Sequence, residues 1–273
     1  MLQISEIFFK KIISGNRSYK NQKLKVIFSP NIMFNLKVSL YFYCMMDKIS
    51  IQLHNPVWHS LCETHEKFVI EYNNVKFYHP DICSFGSFTN EESTYSALNQ
   101  YAKLTNEFFL VSENKTPTFD KEKIILSKKI EGCQMILNQL VEIKVSEKII
   151  PLSNKHIDEI YDLVWLVMPG YYEKRSFEMG DYFGIFKDNK LVAISGQRMQ
   201  SNHWTEISAV VTHPDYTRQG LSKQLVAHTT KEILKQNKKP ILHTNKGNPA
   251  IKLYEKLGFT TSRDMNWWYF NKK

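Results

Sequence analysis

The chain has 273 residues, of which 42% are hydrophobic, 13% aromatic and 23% charged. That composition belongs to a chain able to bury a core rather than to a disordered tail, and the length suits two modest domains. Its formal charge of +9 is concentrated at the start: residues 1–45 carry seven Lys or Arg and one Glu, leaving +3 for the other 228 residues without a basic stripe interleaved with aromatics, which argues against a nucleic-acid partner.

Residues 1–45 are basic, rich in Ile, Phe, Asn and Lys, and aperiodic apart from "EIFFKKII". We expect an extension here, with the native protein starting at Met46. The apolar run at 38–46 falls far short of the roughly 20 residues that cross a bilayer. Cys44, Cys62, Cys83 and Cys133 form no CxxC pair and there is no secretory signal, so a cytoplasmic protein with reduced thiols, no metal and no membrane contact is expected.

From 46 to 145 we expect a smaller α+β domain. "HNPVWHSL" opens a helix, "KFVIEYNNVKFYH" turns as a hairpin at Asn73-Asn74, and "EESTYSALNQYAKL" has helical spacing through Tyr95, Leu98, Tyr101 and Leu104. "NEFFLVSE" reads as a strand and "KIILSKKIEGCQMIL" as strand and turn.

Residues 146–273 form the second expected domain. A helix capped near Ser153 or Asn154 carries Ile157, Ile160, Tyr161 and Val164 on one face and ends at Gly170. Strands "DYFGIFKDN" and "KLVAISGQRMQ" join at Asp188-Asn189, and "TEISAVVTH" follows. Then come a turn, a long helix over "DYTRQGLSKQLVAHTTKEILKQ", the strand "PILHTN", the helix "NPAIKLYEKLG" and a last strand around "DMNWWYFNKK"; no repeat of fixed period emerges.

Three constellations carry chemistry. In "HPDYTRQGLSKQL" a strand ends in a turn whose glycine opens a helix, which aims backbone amides and the positive end of a helix dipole at one point and suits a pyrophosphate. Gly220 lets the backbone approach closely, and Ser222 is small. An ordinary strand-to-helix connection is the alternative. In "NPAIKLYEKLGF", Asn248 reads as an N-cap, Pro249 as first turn and Gly258 as terminator, with Ala250, Leu253, Tyr254 and Leu257 on one face. By spacing alone Tyr254 is a core residue. On "TEISAVVTH", alternation puts Glu206, Ser208, Val210 and Thr212 on one side and Ile207, Ala209 and Val211 on the other.

These segments resemble the GNAT acetyltransferases. The turn is similar to Q/R-x-x-G-x-G/A at Thr217, Gly220 and Ser222, departing from it in Thr217, beside which Arg218 supplies a cation, and in Ser222. "NPAIKLYEKLGF" resembles N-x-x-A-x-x-L-Y-x-x-x-G-F. With "PGYYEKRSFEMGDYFGIFKDNKLVAISGQRM", "HNPVWHSL" and "KFYHPDICSF", the likeness extends over Met46 to the end and is to the glycine N-acyltransferase-like branch. It implies an α/β (α+β) GNAT fold, a mixed central sheet flanked by helices, preceded by a smaller domain that is itself a degenerate fold of the same kind.

The resemblance also implies an activity: transfer of an acetyl group from acetyl-CoA, the co-substrate, to an amine of a small molecule or amino acid by direct attack. The amides of Arg218, Gln219, Gly220, Leu221, Ser222 and Lys223 would hold the diphosphate. Ala209, Val210 and Val211 would supply a backbone N–H to the oxyanion, and Asn248 would lie by the pantetheine arm between splayed strands. Glu206, fourteen residues before Gly220, would act as base and Tyr254 as acid, each contributing on the order of 10²–10⁴ in rate. A catalytically silent CoA-binding sensor is the rival reading. His54, His59 and His79 lack metal-ligand spacing. Trp267 or Trp268 is a candidate wall for the acceptor pocket. The acceptor's identity and the oligomeric state are not legible.

Overall fold

The computed structural model describes residues 48–170 and 172–273, and residues 48–273 form one compact unit. The basic segment 1–45 and the expected start at Met46 lie outside the described residues.

In the first half, helix α1 (Pro56–Cys62) is capped by the Asn55 side chain, which accepts from the Trp58 amide. Strands β1 (Val69–Tyr72) and β2 (Val75–Tyr78) turn at Asn73 and Asn74, both at positive φ, as a two-residue hairpin requires. β3 (Phe85–Phe88) leads through helix α2 (Thr94–Tyr101) to β4 (Glu107–Ser112), and β5 (Ile124–Leu137) follows. The second half runs β6 (Ile149–Pro151), α3 (Ile157–Val167), β7 (Tyr182–Lys187), β8 (Lys190–Gln200), β9 (Trp204–Thr212), α4 (Leu221–Lys235), β10 (Lys239–Asn245), α5 (Ile251–Glu255) and β11 (Phe259–Lys272). The β7–β8 hairpin turns at Asp188 and Asn189, again both at positive φ.

All eleven strands join one sheet in the order β1-β2-β3-β4-β11-β5-β10-β9-β8-β7-β6. The order mirrors itself about the β11–β5 pair. From one side an antiparallel β1-β2-β3 run steps in parallel to β4, reached through α2; from the other, antiparallel β7-β8-β9 steps in parallel to β10, reached through α4. A parallel step needs such a crossover, because a tight turn can only reverse the chain. Each half then takes its next strand from the other: β4 pairs with β11, and β10 pairs with β5.

This exchange accounts for three departures from expectation. The sheet does not divide at 145–146, because β5, from before that point, is clamped between β10 and β11. β5 is a continuous 14-residue strand rather than strand and turn, since it has a hydrogen-bonded partner on both sides. The expected apolar face of α2 is also displaced: Thr94, Ala97, Leu98 and Tyr101 are buried, whereas Tyr95 and Leu104 are about half exposed (49% and 50%). Phe77, Tyr101, Phe108 and Phe270 close the first-half core, which thus includes a side chain from β11. In the second half, α4 covers one face with Leu225, Val226 and Ile233, and α3 covers the other with Ile160, Leu163 and Val164.

A buried polar knot ties the halves together. His65 Nδ1 meets Ser60 Oγ (3.1 Å) and Tyr78 Oη (2.9 Å), while Nε2 donates to the Met179 carbonyl (3.0 Å), and the Gln200 amide donates to Ser60 Oγ (3.0 Å). Burial disfavours the imidazolium and pulls the His65 pKa down to about 4, although the Met179 bond opposes the shift. Below its unfolded value the imidazole binds a proton only when the chain unfolds. Stability from this site is therefore complete above pH 6.5 and is lost as pH falls from 6.5 towards 4, by roughly 3 kcal/mol in all. Urea unfolding at pH 7 and pH 4.5 should show this loss, and His65→Gln should shrink the pH-dependent part.

Candidate active site

The site begins where a ladder stops. β9 and β10 pair in parallel through only four positions, Trp204↔Lys239 to Ile207↔Leu242, yet β9 runs on to Thr212 and β10 to Asn245. Beyond Ile207 and Leu242 the strands part and leave a fork. On its outer side β9 stays paired to β8, but Ser208↔Gly196 and Val211↔Ile194 leave three steps facing two, so one residue is extra. That residue is a bulge at Ala209, whose φ is +49°. The bulge overturns the expected alternation: Ala209 and Val211 pack with α3, while Ile207 and Val210 pack on the α4 side.

On the α4 side the chain leaves β9, passes Arg218 and Gly220 in left-handed conformations (φ +63° and +75°), and enters α4. Glycine takes this conformation without strain; an arginine does so at a cost. Among the described residues, none accepts a hydrogen bond from the backbone N–H groups of Arg218, Gln219, Gly220, Leu221, Ser222 or Lys223. These amides share one end of α4 with the positive end of its dipole. Ser222 Oγ lies 2.7 Å from Thr212 Oγ1, so the hydroxyl that replaces a smaller residue ties the helix start to the strand end. Thr217 Oγ1 donates to the Pro214 carbonyl (3.1 Å) and leaves the cation role to its neighbours.

A cleft of about 420 Å³ opens at this turn, lined by Arg218 and Lys223 and by Lys252 of α5 and its C-cap residue Lys256. Four cations and six unengaged amides describe a receptor for a phosphorylated group. Lys252 and Lys256 were missed by sequence reasoning. Their spacing of four in "IKLYEK" is the signal, since it puts both on one helical face.

α5 is shorter than expected and its N-cap is Ala250; Asn248 instead accepts from the Ala250 amide through Oδ1 (2.9 Å) in a turn before the helix. Tyr254 meets Phe259 edge-on and shares one hydrophobic cluster with Ile207 and Leu242, the last pair of the ladder, on the α4 side. Among the described residues, burial is the only influence acting on its hydroxyl, with no hydrogen bond contributing. Burial pushes the phenol up to about 12, so it carries its proton at neutral pH.

Glu206 lies on the other face and is fully buried. Its carboxylate accepts from Arg198 Nε (2.9 Å) and Nη2 (2.7 Å), from the Met199 amide (3.3 Å) and from His243 Nδ1 (2.7 Å). Burial alone would raise its pKa, but the Arg198 guanidinium and the His243 bond outweigh it and hold the carboxylate at about 2. A group so engaged is a weak proton acceptor, and the geometry makes Glu206 the anchor of an ion pair rather than a free base. His243, the first β10 residue past the ladder, has its Nε2 3.0 Å from Gln134 Nε2, and the Gln134 amide also donates to the Leu53 carbonyl (3.0 Å). The neutral tautomer protonated at Nδ1 satisfies both contacts. Trp267 stands edge-on to His243 at 5.7 Å, its ring crossing Gly132, where a Cβ would come within 2.6 Å of it. Trp268 is instead a first-half core residue bonded to Ser112 Oγ (3.0 Å).

Arg198 escaped sequence reasoning because an irregularity in β8 between Gln197 and Gln200 disguises which of its residues face Glu206, and His243 because it meets Glu206 from another strand, 37 positions away. Among the described residues, no group of three or more His, Cys, Asp or Glu is placed to hold a metal ion, and no helix is long and apolar enough to cross a membrane. His54 pairs with Glu113, and His79 lies 3.6 Å from Asp81. Glu206→Gln would leave the Arg198 charge in a largely buried setting without its partner, which should cost about 3 kcal/mol in urea unfolding; a loss under 1 kcal/mol would show that the pair holds little together.

The model of the FR47-like protein family matches residues 182–268, the stretch from β7 into β11 that contains the fork, the turn and α5. No curated protein matches the chain. Among solved structures, a Novosphingobium aromaticivorans protein assigned to the GNAT family superposes with a TM-score of 0.72 at 25% identity, over 81% of this chain and 98% of that one. A GCN5-related N-acetyltransferase-like protein from Streptococcus suis (TM-score 0.55, 14% identity, 84% and 98% covered) and a GCN5-related N-acetyltransferase from Kribbella flavida (0.54, 12%, 79% and 95%) share the fold. The mixed sheet and the forked parallel pair are those of the GNAT acetyltransferase fold, and the match to the FR47-like family falls on that fork.

Proposed function

We propose that the protein transfers an acetyl group from acetyl-CoA to an amine of a small molecule by direct attack on the thioester. The observation that carries this reading is the set of unengaged amides at 218–223 facing a cleft with four cations, next to a fork whose last ladder pair shares a hydrophobic cluster with Tyr254. Diphosphate and ribose phosphate groups match the cleft in charge, and the fork offers the pantetheine arm a way between β9 and β10.

In this reading the bulged backbone at Ala209, Val210 and Val211 turns an N–H towards the thioester oxygen and steadies the charge that forms there. Tyr254, protonated at neutral pH, donates to the departing thiolate. Glu206 acts through the residues it holds: it orients His243 and Arg198 on the face from which the amine arrives. Asn248, at the turn before α5, stands where β10 ends and belongs to the wall of the pantetheine path. The likeness to the glycine N-acyltransferase-like branch extends the reading to small amines, amino acids among them. We place the protein in the cytoplasm on its cysteine usage.

Free thiol release from acetyl-CoA with a panel of amines tests the activity. Tyr254→Phe should lower kcat by about 10²-fold or more while leaving CoA affinity in place. CoA binding without thiol release from any amine would favour the silent sensor over the enzyme. Lys252→Gln with Lys256→Gln should weaken CoA binding at least about tenfold at low salt, and less at high salt, because exposed charges are screened; unchanged affinity in calorimetry would remove the cleft from the reading.

A further inference from the structure

We infer that Arg198 is the anchor for an oxyanion on the acceptor, so that the amine substrate carries a carboxylate or phosphate close to its amino group. The inference rests on the acyl-transfer reading and names the substrate class of that same site.

Glu206 occupies only two nitrogens of the guanidinium, Nε and Nη2. The third, Nη1, has no hydrogen-bond partner among the described residues and is not enclosed, and 20% of the side chain is exposed. The bidentate pair fixes the plane of the group, and the Phe85 ring, 4.7 Å from Cζ, supports its face. A guanidinium held on one edge and on one face presents its remaining donors in a set direction, which is the condition for recognising an oxyanion at little entropic cost.

Position makes this donor edge relevant to the acceptor. Arg198 is joined to Glu206, one residue before the last ladder pair Ile207↔Leu242, on the face away from α4. The cationic cleft and Tyr254 lie on the α4 side, so an acyl group led through the fork meets its acceptor from the Arg198 side. The ionisable groups acting most strongly on Arg198 besides Glu206 are Cys83 and Tyr182. Burial pushes the Cys83 thiol up to about 11 and the Tyr182 phenol up to about 12, so both are neutral at pH 7. Neither competes for the free donors. A polycationic acceptor gains nothing from this wall, whereas an amine bearing an oxyanion does.

The test is calorimetry on the full chain saturated with CoA, using matched pairs of amines: alanine against alaninamide, and O-phosphoethanolamine against ethanolamine. The anionic member of at least one pair should bind about tenfold tighter than its neutral counterpart, and the pair that discriminates tells carboxylate from phosphate. Arg198→Lys keeps the charge but not the planar fork, and should abolish that preference while CoA affinity stays as in the parent. Equal affinity within both pairs, no binding of either anionic amine, or a preference that survives Arg198→Lys would overturn the inference. Failure of CoA to bind at the outset would strike the acyl-transfer reading itself, and is read in a separate titration.

Discussion

Parallel strands that stop pairing in mid-course leave a row of backbone groups facing each other without bonds, and a fold keeps such a fork only if each strand is held from its other side. Here β9 is held by β8 and β10 by β5. The candidate site is arranged about this opening: the cationic cleft and Tyr254 on one face, Arg198, Glu206 and His243 on the other. The Arg198–Glu206–His243 cluster also links β8, β9 and β10 at the level where the ladder ends, with both oxygens of the buried Glu206 carboxylate hydrogen-bonded.

The mirrored order of the sheet shows why the chain before residue 146 is present at all. β5 is the strand that holds β10 from outside, so the fork depends on a segment from the other half. The first half has its own parallel step, β3 to β4, paired only at Phe85↔Phe109 and Gly86↔Leu110. Its fork is closed: Ser87 Oγ donates to the Val111 carbonyl (3.0 Å) and is also bonded to Asn55. The turn that follows β3 carries Glu91 and Glu92, whereas the turn that follows β9 carries Arg218. The first half supplies β5 to hold β10 and the Phe85 face beneath Arg198.

Glu206 illustrates how burial changes a residue's trade. An exposed strand glutamate is a serviceable base; one enclosed with an arginine and a histidine has its charge stabilised so strongly that a proton binds only near pH 2. The same enclosure makes it a good positioning group, since a fixed carboxylate sets both the His243 tautomer and the plane of Arg198.

Local signals in the chain determined a good part of the protein. Asn73-Asn74 and Asp188-Asn189 specify their hairpins because these residues tolerate positive φ; Gly220 marks the turn into α4; the spacing in "NPAIKLYEKLGF" marks a helix with Tyr254 on its inner face. Each depends on neighbours within a few residues. Tertiary structure alone decided the rest: the placing of β5 between β10 and β11, the bulge at Ala209, and the meeting of Arg198, Glu206, His243 and Gln134 from four strands. The reason is physical. Strand register and partner choice are settled by side chains far apart in sequence, 109 positions for Gln134 and His243 and 156 for Ser112 and Trp268, and no local pattern encodes which distant strand will satisfy a buried charge.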